Sequence, residues 1–255
     1  MRIITLNCWC GRAVDRLIPF FEHYRTRTDV FFLQEILNGD QREIDRRHPG
    51  AGSYADLFNL IAAALPGFQG FFAGFEDPDR MSNAVFARDS LSIHDISEHV
   101  VYEPKNPVHE GHVITSSRKL QTITLDVNGH SVLYGNLHGL WVNGPKTDTP
   151  DRLKQSEKVV EVFKGHAGPK TLVGDFNLLP DTESVRMLET HAGLRNLVVE
   201  HAIPSTRTPL YRHYDNPSEP NFADYVMPSH DQRVKGFKVL PDVVSDHAAL
   251  YAEFA

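Results

Sequence analysis

The chain has 255 residues, 41% apolar and 23% charged, with 26 Lys and Arg against 33 Asp and Glu for a net charge of −7. That balance excludes a disordered, collagen-like or coiled-coil chain and offers no global basic field for a long polyanion. No apolar run reaches the ~18 residues of a membrane span, and the first residues carry no secretory apolar stretch. The expectation is a cytoplasmic, unexported protein with no membrane span and no obligate protein partner.

The first strand runs Arg2 to Asn7, and a helix follows over 13–26, with Val14, Leu17, Ile18 and Phe21 on one face. Cys8 and Cys10, the two cysteines, are too close for a disulfide framework and read as buried small hydrophobes. Asp29 to Gln34 is a buried strand, and 38–52 is polar and irregular. A helix opens on Ser53 as cap, points Leu57, Leu60, Ile61 and Ala64 inward and stops at Pro66-Gly67. Short strands follow at 69–74, 83–88 and 91–97, then a charged surface loop over 102–119. Gln121–Val127 and His130–Gly135 flank Asn128-Gly129, which predicts a two-residue hairpin. After a loop over 139–149, Thr149 caps a helix with Pro150 at its first position, running to Lys164 and ending at Gly165. Lys170–Gly174 is a strand, Pro180-Asp181 opens another helix, and strands near 222–228, 235–239 and 248–254 close the chain. Strands and helices spread over the whole length. This predicts one α/β domain over 1–255, with two sheets packed on each other and helices outside; a single open sheet covered on both faces is the alternative.

Polar residues gather at strand ends: Asn7, Glu35, His138, Asp175 with Asn177, Asp224, and Asp246 with His247. Each alone is a cap or a solvated turn. Together, on several strands, they point to one rim where a site forms. No Gly-x-Ser-x-Gly, Walker lysine, His-Glu-x-x-His or Cys-x-x-Cys motif competes with them.

Leu-Asn-Cys-Trp, Leu-Gln-Glu, Asn-Leu-His, Gly-Asp-Phe-Asn, Ala-Asp-Tyr-Val and Ser-Asp-His occur in this order. The set resembles the endonuclease/exonuclease/phosphatase superfamily, from residue 7 to residue 247. The resemblance implies a four-layer α/β sandwich with two mixed or mainly antiparallel sheets face to face. It also implies a divalent-metal-dependent phosphoesterase, foremost a phosphodiesterase or nuclease, in which activated water attacks phosphorus in line. Glu35 resembles the main ligand of Mg²⁺ or Mn²⁺, with Asn7 beside it and Asp246 as a second carboxylate on the metal side. Asp175 resembles the carboxylate that orients or deprotonates the water, Asn177 a donor to a phosphoryl oxygen, and Asp224 the carboxylate orienting His247. His138 resembles the histidine on the phosphate's other side.

The chemistry is consistent with this: an anionic phosphodiester repels a nucleophile, and a metal ion with polar donors offsets that charge in the transition state. Arg207, Arg212 and His213 form a candidate basic rim, and Trp141, Asn143 and Lys146 a candidate substrate loop. Trp9 stands where several nuclease relatives carry Asp or Asn, and the aromatic is nearer the sphingomyelinase branch. The substrate expected is a phosphoester, with nucleic acid or nucleotide foremost. A phosphomonoester, a lipid headgroup and a silent phosphate-binding scaffold are the alternatives.

Overall fold

The computed structural model describes all residues except 48–49, 75–80, 105–107, 110–111, 114–116 and 217–219. One sheet contains β1 (Arg2–Asn7), β2 (Val30–Ile36), β3 (Phe68–Phe72), β4 (Ser82–Arg88), β12 (Val234–Val239) and β13 (Leu250–Phe254). Its strand order is β12-β13-β1-β2-β4-β3, parallel only between β1 and β2. The second sheet contains β5 (Ile93–Tyr102), β8 (Arg118–Val127), β9 (His130–His138), β10 (Lys170–Asp175) and β11 (Asp224–Pro228). Its order is β11-β10-β9-β8-β5, parallel only between β9 and β10. A two-stranded ribbon, β6 (Val108–His109) with β7 (His112–Val113), interrupts the segment expected to be a plain loop.

Strand alternation explains the layers. Ile3, Val30, Phe32 and Val85 enter the core cluster that also holds Ile123, Tyr134 and Leu172 of the other sheet. The rings of Phe32 and Tyr134 stack with centroids 5.6 Å apart. The alternate residues Ile4, Leu6, Phe31 and Leu33 pack instead on α1 (Val14–Tyr24) and α3 (Leu57–Ala64). The central strands are therefore buried on both faces and read as continuous apolar runs. Val159, Phe163, Val185 and Leu188, from α4 (Pro150–Lys164) and α5 (Glu183–Ala192), join the cluster of the second sheet. Two sheets with helices outside make a four-layer α/β sandwich.

Two predicted boundaries and one stretch read as irregular need correction. The helix after Ser53 begins at Leu57, four residues later, because Ser53 and Tyr54 stay in the connection before it, where Tyr54 N donates to Cys10 O at 2.8 Å. The helix placed at Pro180-Asp181 starts at Glu183, capped by the Thr182 hydroxyl, which accepts from Val185 N. The stretch read as irregular contains α2 (Gln41–Arg47), capped by Asp40, whose carboxylate accepts from Arg42 N at 2.8 Å. A further short helix, α6 (Leu197–Glu200), was also missed; Asn196 caps it through Val198 N and Val199 N. Thr149 does cap α4, accepting from Arg152 N.

Candidate active site

The parallel pairs β1–β2 and β9–β10 bring the ends of four strands to one rim. Asn7 lies opposite Gln34 in register, while Asp175 lies between His138 on one side and Asp224 on the other. Glu35 follows Gln34 at a register shift in β2 and has φ of 55°. Left-handed backbone in a strand is costly for a residue with a Cβ and marks a bulge that re-aims its side chain. Gly174 has φ of 127°, and a Cβ there would collide with Leu137 O, so glycine alone lets β10 approach β9. Asn177 has φ of 54°, and its N–H donates 2.8 Å to Asp175 Oδ1, closing a turn that aims both side chains at the rim.

Asp175 is the hub. Its Oδ2 lies 3.0 Å from Asn7 Nδ2, 3.6 Å from His247 Nε2 and 3.8 Å from His138 Nε2. Asn7 Nδ2 also donates to Glu35 Oε1 at 3.1 Å, while Asn7 Oδ1 accepts from Trp9 N at 2.9 Å. Both oxygens of Asp224 lie 2.9 Å from His247 Nδ1, which fixes Nδ1 as the donor and turns Nε2 toward Asp175. The segment carrying His247 is tied down in turn. Ser245 Oγ donates to Asn7 O at 2.6 Å and accepts from His247 N at 3.2 Å. Thr206 Oγ1 accepts from Ala223 N and Asp224 N at 3.0 and 3.2 Å. Asp246 pairs with Arg207 at 3.2 Å, and the Arg207 guanidinium lies 4.4 Å over the ring of Tyr211.

Burial and charge set the protonation states. Burial and then Arg118 push the His138 ring down to about 3, so it is neutral at pH 7. Burial and Arg207 also pull His247 down, yet Asp224 and Asp175 more than offset them and hold its pKa above the ordinary value. Burial opposes ionisation of Asp175, but His247 and the surrounding cations outweigh it, and its carboxyl sits well below the usual range. Burial pushes Glu35 up, with Asp246 and Asp175 adding to the rise. Glu35, Asp175 and Asp246 thus place three carboxylates in one cleft, and a divalent cation would offset that concentration of charge. Asp175, Asp224 and His247 also hold their ligand atoms within 4.8 Å of one another, but there the Asp224–His247 contact is already a hydrogen-bonded pair.

The cleft has a volume of about 500 Å³ and brings together Glu35, His138, Asp175, Asn177, Asp246 and His247. Asn7 and Asp224 lie directly behind it, bonded to Asp175 and His247. Of the candidate substrate residues, Trp141, Lys146, Arg207 and Arg212 line the cleft, whereas Asn143 and His213 line an adjoining chamber. Arg12, Arg118, Cys10 and Tyr211 also line the cleft and were not singled out from the sequence. Cys8 is buried as expected, but Cys10 is not a mere core residue. The chain leaves β1 at Asn7 and turns through left-handed Trp9 and Cys10, which sets Cys10 Sγ 3.5 Å from Glu35 Oε2.

Fold and rim together define a class. Residues 4–247 match the model of the Endonuclease/Exonuclease/phosphatase family, and the chain belongs to that family. Its members are typically hydrolases of phosphoester bonds and generally use divalent metals. Among solved structures, the chain is similar to a mannosyl-6-phosphatase of Bacteroides thetaiotaomicron, with TM-score 0.74 and 19% identity over 100% of this chain and 99% of that one. It is similar to an endonuclease/exonuclease/phosphatase family protein of Leptotrichia buccalis, with TM-score 0.71 and 19% identity over 100% and 99% of the two chains. It is also similar to truncated TDP2 of Caenorhabditis elegans, with TM-score 0.66 and 17% identity over 99% and 96%. No curated protein sequence matches it. No helix among the described residues is long and apolar enough to cross a membrane.

Proposed function

We propose that the protein is a divalent-metal-dependent phosphoesterase that hydrolyses a phosphodiester by in-line attack of water. The observation that carries this reading is the convergence on Asp175 Oδ2 of Asn7, His138 and His247, all within 3.8 Å. Asp175, ionised and anchored by the Asn7 amide, orients the water. His247, held by Asp224, which raises the proton affinity of its ring, faces the phosphoryl oxygens and offsets the charge that builds there. Neutral His138 presents a ring nitrogen from the other side, and the Asn177 amide adds a neutral donor. The water gives up a proton as its bond to phosphorus forms, the bond to the leaving oxygen breaks, and that oxygen takes up a proton, giving an alcohol and a phosphomonoester.

Glu35 is the residue that would hold Mg²⁺ or Mn²⁺, supported by Asp246 and, through its side-chain oxygen, Asn7. Hard oxygen donors suit these ions. When bound, the ion supplies Lewis-acid charge next to the phosphoryl group.

The test is release of nitrophenolate from bis(p-nitrophenyl) phosphate with Mg²⁺ or Mn²⁺. Asp175→Asn, Glu35→Gln and His247→Ala are each expected to lower kcat by about 10³-fold or more. Near-wild-type rates in all three folded variants would overturn the reading. A phosphomonoester is the second reading. It is favoured by Arg12, Arg118, Lys146, Arg207 and Arg212, which line the cleft against the carboxylates and suit a dianion. Comparing p-nitrophenyl phosphate with the diester decides between them.

A further inference from the structure

A second chamber of about 370 Å³ opens beside the reactive cleft. Trp141, Lys146, Tyr211 and Arg212 border both spaces, so the two adjoin across these four side chains. Among the described residues lining the chamber none is acidic, while Lys146 and Arg212 are cationic and His213 adds a ring. On a chain of net charge −7, such a local excess of positive charge selects an anionic occupant.

Lys146 sharpens the point. It is largely buried, and the partner its ammonium is seen to reach is a neutral carbonyl, Phe222 O at 3.0 Å. Burial and Arg207 lower its pKa to about 8 even though Asp175, Asp224 and Asp246 pull it up from the reactive side, and an anion on the chamber side would offset the remaining cost. Trp141 is 50% exposed at the junction, and an indole face held at the mouth of a chamber is a stacking surface for a ring. The walls are preformed. Arg152 ties Leu140 O, Pro145 O and Thr147 O, and Leu179 N donates to Lys146 O at 2.9 Å. On the other wall, Tyr211 sits under the Arg207 guanidinium and its ring meets that of His213 at 5.6 Å.

We propose that this chamber is a subsite for the non-reacting part of the substrate, a ring-bearing unit, sugar or nucleoside, that carries a second phosphate. The assignment rests on the phosphoesterase reading above. One phosphate occupies the reactive cleft, the ring lies on Trp141, and the second phosphate is held by Lys146, Arg212 and His213.

Three chromogenic diesters test it, all releasing nitrophenolate by the same chemical step: bis(p-nitrophenyl) phosphate, the p-nitrophenyl ester of thymidine 5′-phosphate, and that ester bearing a 3′-phosphate. The expected kcat/KM rises about tenfold with the nucleoside and about tenfold again with the 3′-phosphate, each step equivalent to about 1.4 kcal/mol. Trp141→Ala is expected to remove the first gain and Arg212→Gln with His213→Gln the second, both through KM. Thymidine 3′,5′-bisphosphate and glucose 1,6-bisphosphate, as competitive inhibitors against their monophosphates, separate a nucleotide from a sugar source. A tenfold preference for either bisphosphate supports the subsite. Equal rates for the two thymidine esters, with no preference for either bisphosphate, overturn the subsite while turnover of bis(p-nitrophenyl) phosphate leaves the phosphoesterase reading standing. If none of the three diesters is hydrolysed, that reading falls instead. Calorimetric binding of the bisphosphates to the folded protein then decides the chamber separately, tenfold tighter binding than the monophosphates supporting it and equal binding overturning it.

Discussion

Replacing the buried Arg152 by Met tests how the loop bearing Trp141 and Lys146 keeps its shape. Arg152 is 0% exposed, and its Nε donates to Leu140 O at 3.2 Å while Nη1 donates to Pro145 O at 2.9 Å and Thr147 O at 2.6 Å. Methionine keeps the apolar stem and removes every donor. Hydrogen bonds from a charged group contribute about 1.5–3 kcal/mol each. The full loss is not expected, because the carbonyls of Pro145 and Thr147 reach water when the loop lifts. Leu140 O belongs to a residue 1% exposed, whose N–H is held by Gln155 Oε1 at 2.9 Å, so it stays trapped and unpaired. Losing one trapped bond and part of the other two gives about 3 kcal/mol, or a fall in Tm of about 6–12 °C for a chain of this size. Calorimetry measures the loss. Acrylamide quenching in a Trp9→Phe background reports the loop, since Trp9 and Trp141 are the two tryptophans. Quenching is expected to increase in Arg152→Met and to recover in part in Arg152→Lys, which restores one donor site but not the fork. A loss below about 0.5 kcal/mol, within the range of an ordinary surface substitution, with unchanged quenching would refute the reasoning.

Asp224→Asn keeps the shape of the side chain but removes the charge that holds His247 and raises its pKa. Activity on bis(p-nitrophenyl) phosphate is expected to fall by about 10²–10⁴-fold, with the pH profile of kcat displaced, because the imidazole loses both its orientation and its proton affinity. Mn²⁺ at one hundred times its Kd is expected to stabilise the wild type by about 2.7 kcal/mol, and Glu35→Gln to remove most of that gain in a thermal melt. Asp29 tests the sheet away from the site. Partial burial opposes its ionisation, but Arg2 N at 2.8 Å, Nη2 at 2.7 Å and Nε at 3.3 Å outweigh it and hold its carboxyl below the usual range. A depressed carboxyl contributes stability above its unfolded pKa of about 3.9, and that contribution is lost as pH falls through the lower folded value. Asp29→Asn is therefore expected to cost about 1 kcal/mol in urea unfolding at pH 7, with the gap to wild type closing below about pH 4.

What the sequence reveals of this molecule depends on whether the signal is local. Asn7, His138 and Asp175 are legible because each ends an apolar strand, and strand register alone then sets Asp175 beside His138. Asn128-Gly129 is legible because turn geometry depends on two residues; both have positive φ, 55° and 79°. Glu35 shows the opposite case. Val-Phe-Phe-Leu-Gln-Glu-Ile gives no hint of a bulge, since the left-handed backbone at Glu35 is imposed by pairing with β4 and not by residue type. The helix α2 escaped because Ile44 is its sole buried apolar side chain, packed on Leu37 and Ala55, so no apolar stripe exists to read. Its start was nevertheless readable in Asp40, an acceptor for two helical N–H groups. Arg118 lies far from every motif, and its role beside His138 exists only once β8 pairs with β9.

The site draws on both sheets, and apolar packing alone would leave them free to slide past each other, because it has no direction. Directional contacts in the core oppose this. Gln34 Nε2 donates to Asn136 Oδ1 at 2.7 Å across the interface and to Thr5 Oγ1 at 3.1 Å. Asn136 Nδ2 donates to Leu33 O at 3.0 Å and Ala84 O at 3.2 Å, and Asn83 Nδ2 donates to Asn136 O at 3.0 Å. Gln34 immediately precedes Glu35 and Asn136 stands two residues before His138, so this ladder lies directly beneath the rim. Burying five polar residues this deeply is unfavourable unless each finds a partner, and Thr5, Gln34, Asn83, Gln121 and Asn136 are all linked through it. A slide of one residue would break at once the bonds that cross between the sheets, Gln34 to Asn136, Asn136 to Leu33 O and Ala84 O, and Asn83 to Asn136 O, and carry Glu35 away from Asp175. The ladder therefore does for the two sheets what the Asp224–His247 pair does for one imidazole: it converts an orientation that apolar contact leaves open into the single one in which the carboxylates and histidines meet.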